Sequence, residues 1–212
     1  MTGTRLAEQR FSELLAAFRS PDPTPGGGSA SAMSGALGTS LLAMVAGLPK
    51  PRAQSPDDEK RLAAAKARSI TLSDHLVALM DRDSDAYDSV VAAFRLPKTS
   101  DEEKRIRSGR IQDALQSATE TPLDVMRACA DGIAAAEDVA AFGNANASSD
   151  VQVALELLMA GLRGAKLNVA INLTSIKDLD YVAASKQQAD TLEANAVKAR
   201  DAAVERLRRS SG

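Results

Sequence analysis

Small side chains recur at every fourth position between Ala30 and Leu48, and this pattern restricts the fold more than any other feature of the sequence. The two overlapping series are Ala30, Ser34, Gly38 and Ser31, Gly35. Residues four apart share one face of an α-helix, so a second helix can pack very closely against it. Aromatic residues make up only 3% of the chain and tryptophan is absent, so the core must be aliphatic. The sequence therefore predicts closely packed helices rather than sheets.

Start and stop signals for helices follow one another along the chain. Ser55-Pro56 places a capping serine before a proline at the first helical position, and Ser100 and Ser149 each begin a capping box. Pro21 stops the first helix, and Thr121-Pro122 is interpreted as the start of a new one. The predicted helices cover residues 6–18, 30–48, 55–96, 100–120, 121–143, 149–173 and 177–209.

No stretch of the sequence has a convincing strand pattern, and no linker divides it. We therefore predict that residues 1–212 form one all-α domain, an up-and-down bundle of long antiparallel helices.

The composition excludes several classes of protein and site. The formal net charge is −2, with 26 basic and 28 acidic residues, so no broad basic field for nucleic acid is expected. Cys129 is the only cysteine, which excludes an internal disulfide and fits a reducing cytosol. His75 is the only histidine, which excludes a metal site built from several histidines of one chain. The apolar run from Ala30 to Leu48 is interpreted as too short and too rich in serine to span a membrane. Residues 1–19 lack the pattern of a signal peptide, so we expect a cytoplasmic protein.

A rigid, glycine-rich turn precedes the small-residue helix. Pro25 restricts the backbone, whereas Gly26, Gly27 and Gly28 allow a ligand to approach the main chain closely. Ser29 is predicted to cap the following helix, whose first amides carry partial positive charge. This turn is therefore a candidate binding loop for an anion or a planar polar group, and the alternative is a flexible linker.

An acid and a phenol lie on one face near the end of the long helix. Asp83 and Tyr87 are four residues apart, so their side chains are neighbours. Such a pair can transfer a proton or bind an amino group, although an ordinary surface pair is the alternative. Lys98 follows in the exit from the same helix, where it either neutralises a ligand carboxylate or faces solvent beside a helix C-terminus.

Polar residues also gather around the last long helices. Asn144, Asn146, Ser149 and Asp150 form a corner that is either a structured turn or part of a site. Asn168 and Asn172 share one face of an otherwise apolar helix. Because buried amides need partners, these two predict either an interhelical network or the wall of a polar pocket.

These features, in this order, resemble the cyclodeaminase/cyclohydrolase family of folate enzymes. The similar strings are Pro23-Thr24-Pro25-Gly26-Gly27-Gly28-Ser29, Asp83-x-x-Ala86-Tyr87, Leu96-Pro97-Lys98-Thr99 with Glu103 and Arg107, Gly143-Asn144-x-Asn146-x-x-Ser149-Asp150, and Asn168-Val169-x-x-Asn172-Leu173. The resemblance covers residues 5–195, and the ordered combination is more specific than any single string.

The resemblance implies an all-α homodimer with its cleft near the subunit interface, in which two copies complete each other's sites. It implies hydrolysis of 5,10-methenyltetrahydrofolate to 10-formyltetrahydrofolate, with a folate as substrate and with no metal or organic cofactor. No nucleic acid and no membrane is an expected partner.

For that substrate, the resemblance suggests roles for the candidate residues. Asp83 or Asp150 would stabilise the cationic ring and act as general base, and Lys98 or Tyr87 would protonate the departing nitrogen. The four asparagines would bind the pterin edge or orient water, and the glycine turn with Ser149 would contact the ligand. The anionic tail would meet Lys50, Arg52 or Arg107.

Two alternatives remain open at this point. Formiminotetrahydrofolate cyclodeamination, an ammonia-lyase reaction, reaches the same methenyl ring by loss of ammonia. The absence of a fused formiminotransferase domain favours the cyclohydrolase. A non-catalytic folate-binding or helical assembly module is the second alternative. Whichever of these three functions is correct, we predict that the glycine turn, the acid–phenol pair and the asparagine-rich corner converge on one cavity.

Overall fold

The computed structural model describes residues 5–209, and these residues form six α-helices, two short 3-10 helices and no strand. The α-helices are α1 (Phe11–Arg19), α2 (Gly27–Ala46), α3 (Pro56–Phe94), α4 (Asp101–Phe142), α5 (Ser148–Leu173) and α6 (Leu179–Arg209), and the 3-10 helices are Leu6–Glu8 and Ala145–Ala147. This confirms the all-α class and a single domain. The antiparallel up-and-down order and the homodimer stay predictions.

Helix α2 packs against α3, α4 and α5. Its small residues allow this, because a Cβ placed on Gly35 would lie 2.6 Å from the Cys129 sulfur in α4. A Cβ on Gly38 would lie 2.8 Å from Leu158 in α5. Glycine at both positions therefore permits the close helix contacts that the sequence pattern predicts.

The two longest helices begin at the caps that the sequence predicts. The Ser55 side chain accepts a hydrogen bond from the Asp58 amide at the start of α3. Ser100 and Glu103 form the full capping box at the start of α4. Both caps join residues three positions apart in the sequence, so a short-range sequence signal is enough to locate the start of each helix.

Helix α4 corrects one predicted boundary. The sequence analysis places a new helix at Thr121-Pro122, but α4 continues from Asp101 to Phe142 with Pro122 inside it. Proline normally interrupts a helix because it cannot donate the backbone hydrogen bond to the carbonyl four residues earlier. Here that carbonyl, on Ala118, has another donor, the side chain of Asn172 in α5. A distant residue therefore makes the uninterrupted helix possible.

The start of α5 is a second correction. The predicted capping box at Ser149 and Gln152 is wrong, since α5 begins at Ser148 after a 3-10 turn and no side chain caps it. The Asn144 side chain accepts a bond from the Asn146 amide instead, and this shapes the turn before the helix. Asp150 is consequently the third residue of the helix.

The apolar run after the glycine turn forms a longer helix than the sequence analysis expects. Helix α2 has 20 residues and a mean hydropathy of 1.3 in its most apolar window, which is enough to cross a membrane by length and composition. The prediction that this run is too short is therefore wrong. However, 56% of that window is buried within the domain, as expected for a core helix.

Candidate active site

A cavity of about 290 Å³ lies where the glycine turn meets α3, α4 and α5. Its polar lining includes Asp83 and Tyr87 from α3 and Asn168 and Asn172 from α5. The complete lining is Pro23, Thr24, Gly26, Gly27, Gly28, Asp83, Ala86, Tyr87, Val90, Leu115, Ala118, Asn168 and Asn172. The structure thus brings together two of the predicted segments, the glycine turn and the acid–phenol pair, with both asparagines of α5.

Asp83 is anchored to the start of α2. Its Oδ2 atom accepts a hydrogen bond from the Ser29 amide at 2.9 Å and lies 3.0 Å from the Ser29 hydroxyl. Burial is the largest influence on this carboxyl group and raises its pKa above the usual aspartate range, partly offset by the two Ser29 bonds. A carboxylate with a raised pKa is a better proton acceptor, so Asp83 suits general base catalysis.

Ser29 does not cap α2, which corrects the sequence analysis. The cap position is Gly26, and Ser29 is the third residue of the helix. The Ser29 hydroxyl donates to the Met80 carbonyl at 2.9 Å, and Asp83 satisfies the Ser29 amide. An acid from α3 therefore performs the capping that the sequence assigns to the serine, and the helix start supports the acid in return.

Gly28 leaves the space that Asp83 occupies. A Cβ placed on Gly28 would lie 2.5 Å from the Asp83 Cγ atom and 2.6 Å from Oδ2, and closer still to Oδ1. Contacts that short are not tolerated, so any side chain at position 28 would displace the carboxyl group. At Gly27 the same atom would be 3.5 Å from the Asn168 amide nitrogen, an ordinary contact.

The two asparagines of α5 both use their amino groups on backbone carbonyls. Asn168 Nδ2 donates to the Gly164 carbonyl at 2.9 Å, and Asn172 Nδ2 donates to the Ala118 carbonyl at 3.1 Å. Within residues 5–209, neither Oδ1 atom has a hydrogen-bond partner. With Asp83, these oxygens give the cavity three hydrogen-bond acceptors and a preference for a ligand rich in donors.

The rest of the lining is largely apolar. It includes Ala86 and Val90 from α3 and Leu115 and Ala118 from α4, of which Val90, Leu115 and Ala118 were not recognised as site residues from the sequence. Ala86 and Val90 are four residues apart, so they are neighbours on one face of α3. A lining with both polar and apolar side chains suits a flat heteroaromatic ring.

Several predicted site residues lie outside this cavity. Lys98 is exposed in the loop between α3 and α4, and Pro25 lies between two lining residues without lining the cavity itself. The asparagine-rich corner is at the other end of α2, because a Cβ on Gly143 would meet Val45. It consists of Asn144, Asn146, Ser149 and Asp150. Since α2 has 20 residues, this corner is about 30 Å from the glycine turn of the same chain.

Lys50 and Arg52, two of the three cations predicted to bind the anionic tail, lie near the same corner. The Arg52 side chain donates to the Ala140 and Gly143 carbonyls, and the Asn144 side chain donates to the Pro49 carbonyl. Arg107 is different, because it stacks on the Phe94 ring with its Cζ atom 5.6 Å from the ring centroid. Phe94 follows the lining residue Val90 by one helical turn, and neither Phe94 nor Arg107 lines the cavity itself.

Another cleft, of about 340 Å³, lies between α5 and α6, and its charged lining residues are Lys166, Lys186 and Asp190. Its lining is mainly apolar, and its Lys166 is paired with Asp190 at 2.6 Å and Glu193 at 2.8 Å. Within residues 5–209 no cluster of three or more histidine, cysteine, aspartate or glutamate side chains is arranged to hold a metal ion. Among the acids that line these two cavities, Asp83 is the one whose pKa is raised by burial, whereas ion pairing with Lys166 lowers that of Asp190.

Comparison with known proteins identifies relatives over most of the chain. Residues 10–191 match the family model described as formiminotransferase-cyclodeaminase. A methenyltetrahydrofolate cyclohydrolase from Methylorubrum extorquens is 39% identical over 183 residues, which cover 86% of this chain and 88% of that protein.

Two further relatives carry a different name. A formimidoyltransferase-cyclodeaminase from Sus scrofa is 33% identical over 172 residues, covering 79% of this chain but only 31% of the longer relative. The crystal structure of a formiminotetrahydrofolate cyclodeaminase from Thermotoga maritima superimposes with a TM-score of 0.85 at 26% identity. That match covers 97% of this chain and 98% of the other.

Proposed function

This chain belongs to the formiminotransferase-cyclodeaminase family of folate one-carbon enzymes, and from that membership we propose that it hydrolyses 5,10-methenyltetrahydrofolate to 10-formyltetrahydrofolate. The relative named as a cyclohydrolase supports this choice, since it aligns over 88% of its own length. The observation that carries the proposal is the carboxyl group of Asp83, which is half-buried, has a raised pKa and faces a cavity for a flat ring.

The reaction needs a base and a place for positive charge. The substrate is a cyclic amidinium cation, and water adds to the carbon that bridges its two nitrogens. Asp83 takes a proton from the attacking water, so the ring becomes a neutral tetrahedral adduct. The bond from that carbon to N5 then breaks while the hydroxyl proton leaves and N5 gains a proton, which gives the 10-formyl product. A negative Asp83 also stabilises the cation before water attacks.

Tyr87 is the better placed of the two predicted proton donors. Its side chain lines the cavity one helical turn from Asp83, whereas Lys98 does not line it. We therefore assign protonation of N5 to Tyr87 or to the proton that Asp83 has just accepted. Arg107 stacks on Phe94, one helical turn beyond the lining residue Val90, so we assign binding of the anionic tail of the substrate to Arg107.

The asparagine oxygens explain how the ring is recognised. A pterin carries an amino group and a ring N–H on one edge, and both are donors. Asn168 and Asn172 present, on the same face of α5, Oδ1 atoms that have no hydrogen-bond partner in the described part of the chain. Each neutral hydrogen bond of this kind contributes about 1 kcal/mol, and a mismatched ligand that leaves an acceptor unpaired loses more.

Cyclodeamination of formiminotetrahydrofolate is the second candidate, favoured by the names of the porcine relative and of the solved structure. It passes through the same tetrahedral carbon, with ammonia leaving. Both reactions need water or proton transfer only, so we propose that neither requires a metal or an organic cofactor. Cys129 is fully buried, with a pKa raised by burial to about 12, which is compatible with the cytoplasmic location that we propose.

Absorbance spectroscopy distinguishes the candidates, because methenyltetrahydrofolate absorbs in the near ultraviolet. Purified protein is expected to speed the loss of this absorbance above the uncatalysed rate. Appearance of the absorbance from formiminotetrahydrofolate, without accelerated loss, would instead identify a cyclodeaminase. Folate binding with neither reaction would leave the binding module as the correct description.

We further propose an up-and-down bundle that pairs with a second copy through α2 and α5. These two helices carry five exposed large apolar side chains, and exposed apolar side chains gathered on one surface indicate a protein interface. The exposed members are Leu37, Met44, Val153, Leu167 and Ile171. The order of the bundle is supported by the contacts between the two helices, since Gly27 faces Asn168 whereas Gly38 faces Ala154.

Such a pair would unite the family-like segments. If two α2 helices pack in opposite directions about a two-fold axis, the asparagine-rich corner of the partner comes next to the glycine turn. Asp150 and Asn144 would then join the cavity from the other subunit. This accounts for their distance of about 30 Å from the glycine turn within one chain.

Replacing Leu37 with glutamate is expected to break the dimer. Leu37 is 54% exposed in the single chain, and each dimer would contain two copies of the change. Since only this exposed half of each leucine can be buried by dimerisation, loss of the two removes about 1.5–3 kcal/mol, and the dissociation constant should rise at least 10-fold. Analytical ultracentrifugation measures the dissociation constant of the dimer.

The matched control is Ile106→Glu, because Ile106 is 48% exposed on α4, outside the proposed interface. The interface is wrong if Leu37→Glu remains dimeric, or if the native chain is monomeric at micromolar concentration. Mixing inactive Asp83→Asn and Asp150→Asn chains should restore part of the activity if subunits share sites.

A further inference from the structure

Pro122 lies in the middle of α4 and leaves one backbone carbonyl of that helix without its usual donor. In a regular helix the amide of residue 122 would donate to the carbonyl of Ala118, four residues earlier. Proline has no amide hydrogen, and its ring pushes that carbonyl away from the helix axis. Pro122 is buried and the helix continues past it, whereas Ala118, whose carbonyl lacks the usual donor, lines the cavity.

Asn172 supplies the missing donor from another helix. Its Nδ2 atom lies 3.1 Å from the Ala118 oxygen, although the two residues are 54 positions apart in the sequence. Ala118 and Asn172 both line the cavity, whereas Pro122 does not. The bond holds the amino half of the Asn172 amide against α4, and its Oδ1 atom is left without a partner within residues 5–209.

We propose that Pro122 is a positioning residue that orients the Asn172 amide so that its oxygen accepts a hydrogen bond from the ligand. An ordinary residue at position 122 would donate its own amide to the Ala118 carbonyl, which would then no longer depend on Asn172 for a donor. The Asn172 amide would then be free to rotate by half a turn and present its amino group instead. The identity of the ligand as a folate rests on the proposed function, whereas the orientation of the amide does not.

Asn168 provides an internal comparison in the same cavity. Its Nδ2 atom donates to the Gly164 carbonyl of its own helix, so its orientation depends on no residue of α4. A change at Pro122 should therefore affect Asn172 and leave Asn168 as it is. This difference separates a specific effect on one amide from a general disturbance of the cavity.

The test is the Pro122→Ala variant, studied with the full chain by NMR of the asparagine side-chain amides. The Asn172 amino resonances are expected to move and to exchange faster with solvent, while those of Asn168 stay in place. The melting temperature should be unchanged or higher, since alanine is the stronger helix former. Activity should respond as a rise in KM for 5,10-methenyltetrahydrofolate of about tenfold, with little change in kcat.

Two further variants make the test specific. Pro56→Ala is the matched control, because Pro56 is at the first position of α3, where a backbone donor is not needed. It should leave the Asn172 resonances and KM unchanged. In an Asn172→Ala background, Pro122→Ala should have no further effect on KM, since the two residues act through one interaction.

Each outcome decides the proposal. Unchanged Asn172 resonances in Pro122→Ala would overturn it whatever the substrate is. An unchanged KM, or an equal effect of Pro122→Ala with and without Asn172, would show that the orientation does not serve the ligand. The native chain could turn over neither 5,10-methenyltetrahydrofolate nor formiminotetrahydrofolate, while Pro122→Ala still shifts the Asn172 resonances. That result would support the positioning role and contradict only the proposed function.

Discussion

Asp83→Asn is expected to lower kcat by a factor of about 10²–10⁴, the usual contribution of a general base. Asparagine has nearly the same shape and its oxygen still accepts the hydrogen bond from the Ser29 amide, so the cavity should be preserved. The negative charge is lost, and with it the ability to take a proton from water. Steady-state kinetics with 5,10-methenyltetrahydrofolate measure the effect, and a kcat within threefold of the native value would exclude Asp83 as the base.

The pH dependence gives an independent check on Asp83. Because burial raises the pKa of this carboxyl group, kcat/KM should increase with pH through a pKa above the usual aspartate range, as the base becomes deprotonated. The Asp83→Asn variant should lose this limb of the profile. A native profile without such a limb would contradict the assignment.

The same pKa shift predicts an effect on stability with the opposite sense. A carboxyl group whose pKa is higher in the folded chain than in the unfolded chain favours folding most below the unfolded value. That stability is lost as pH rises through the folded pKa. Asp83→Asn removes the buried charge, so its melting temperature should equal or exceed that of the native chain at neutral pH.

Gly28→Ala is expected to reduce kcat/KM at least 100-fold and to lower the free energy of unfolding by about 1–3 kcal/mol. The added Cβ would lie 2.5 Å from the Asp83 Cγ atom, so the carboxyl group must move. Its two contacts with Ser29 would break with that movement, and the catalytic base would leave its place. Kinetics and chemical denaturation of the same preparation measure both effects.

The chain offers two controls for this substitution. Gly109 is exposed in α4 with nothing within 4 Å of an added Cβ, so Gly109→Ala should keep full activity and gain up to about 1 kcal/mol of stability. Gly27→Ala adds only an ordinary contact of 3.5 Å with Asn168, so its effect should be much smaller than that at Gly28. Equal losses at positions 27 and 28 would show that the turn itself, rather than the position of Asp83, controls activity.

Two errors of sequence interpretation have the same physical origin. Ser29 has the residue type and place of a helix cap, yet Asp83 from α3 takes that role. Pro122 has the pattern of a helix start, yet Asn172 from α5 satisfies the carbonyl that the proline leaves free. In both cases a side chain from a distant helix replaces the local hydrogen bond that the sequence signal assumes.

The sequence by itself determined the helical class, the starts of α3 and α4 and the tight packing around α2, because periodicity, caps and small-residue spacing act over three or four residues. It also singled out Asp83, Tyr87, Asn168 and Asn172. Only the tertiary structure decided that these groups share one cavity with the glycine turn and that the asparagine-rich corner of the same chain does not. The contacts responsible, Asp83 with Ser29 and Asn172 with Ala118, each join residues 54 positions apart. Which helix faces meet over such a distance depends on how the whole core packs, and no local pattern specifies it.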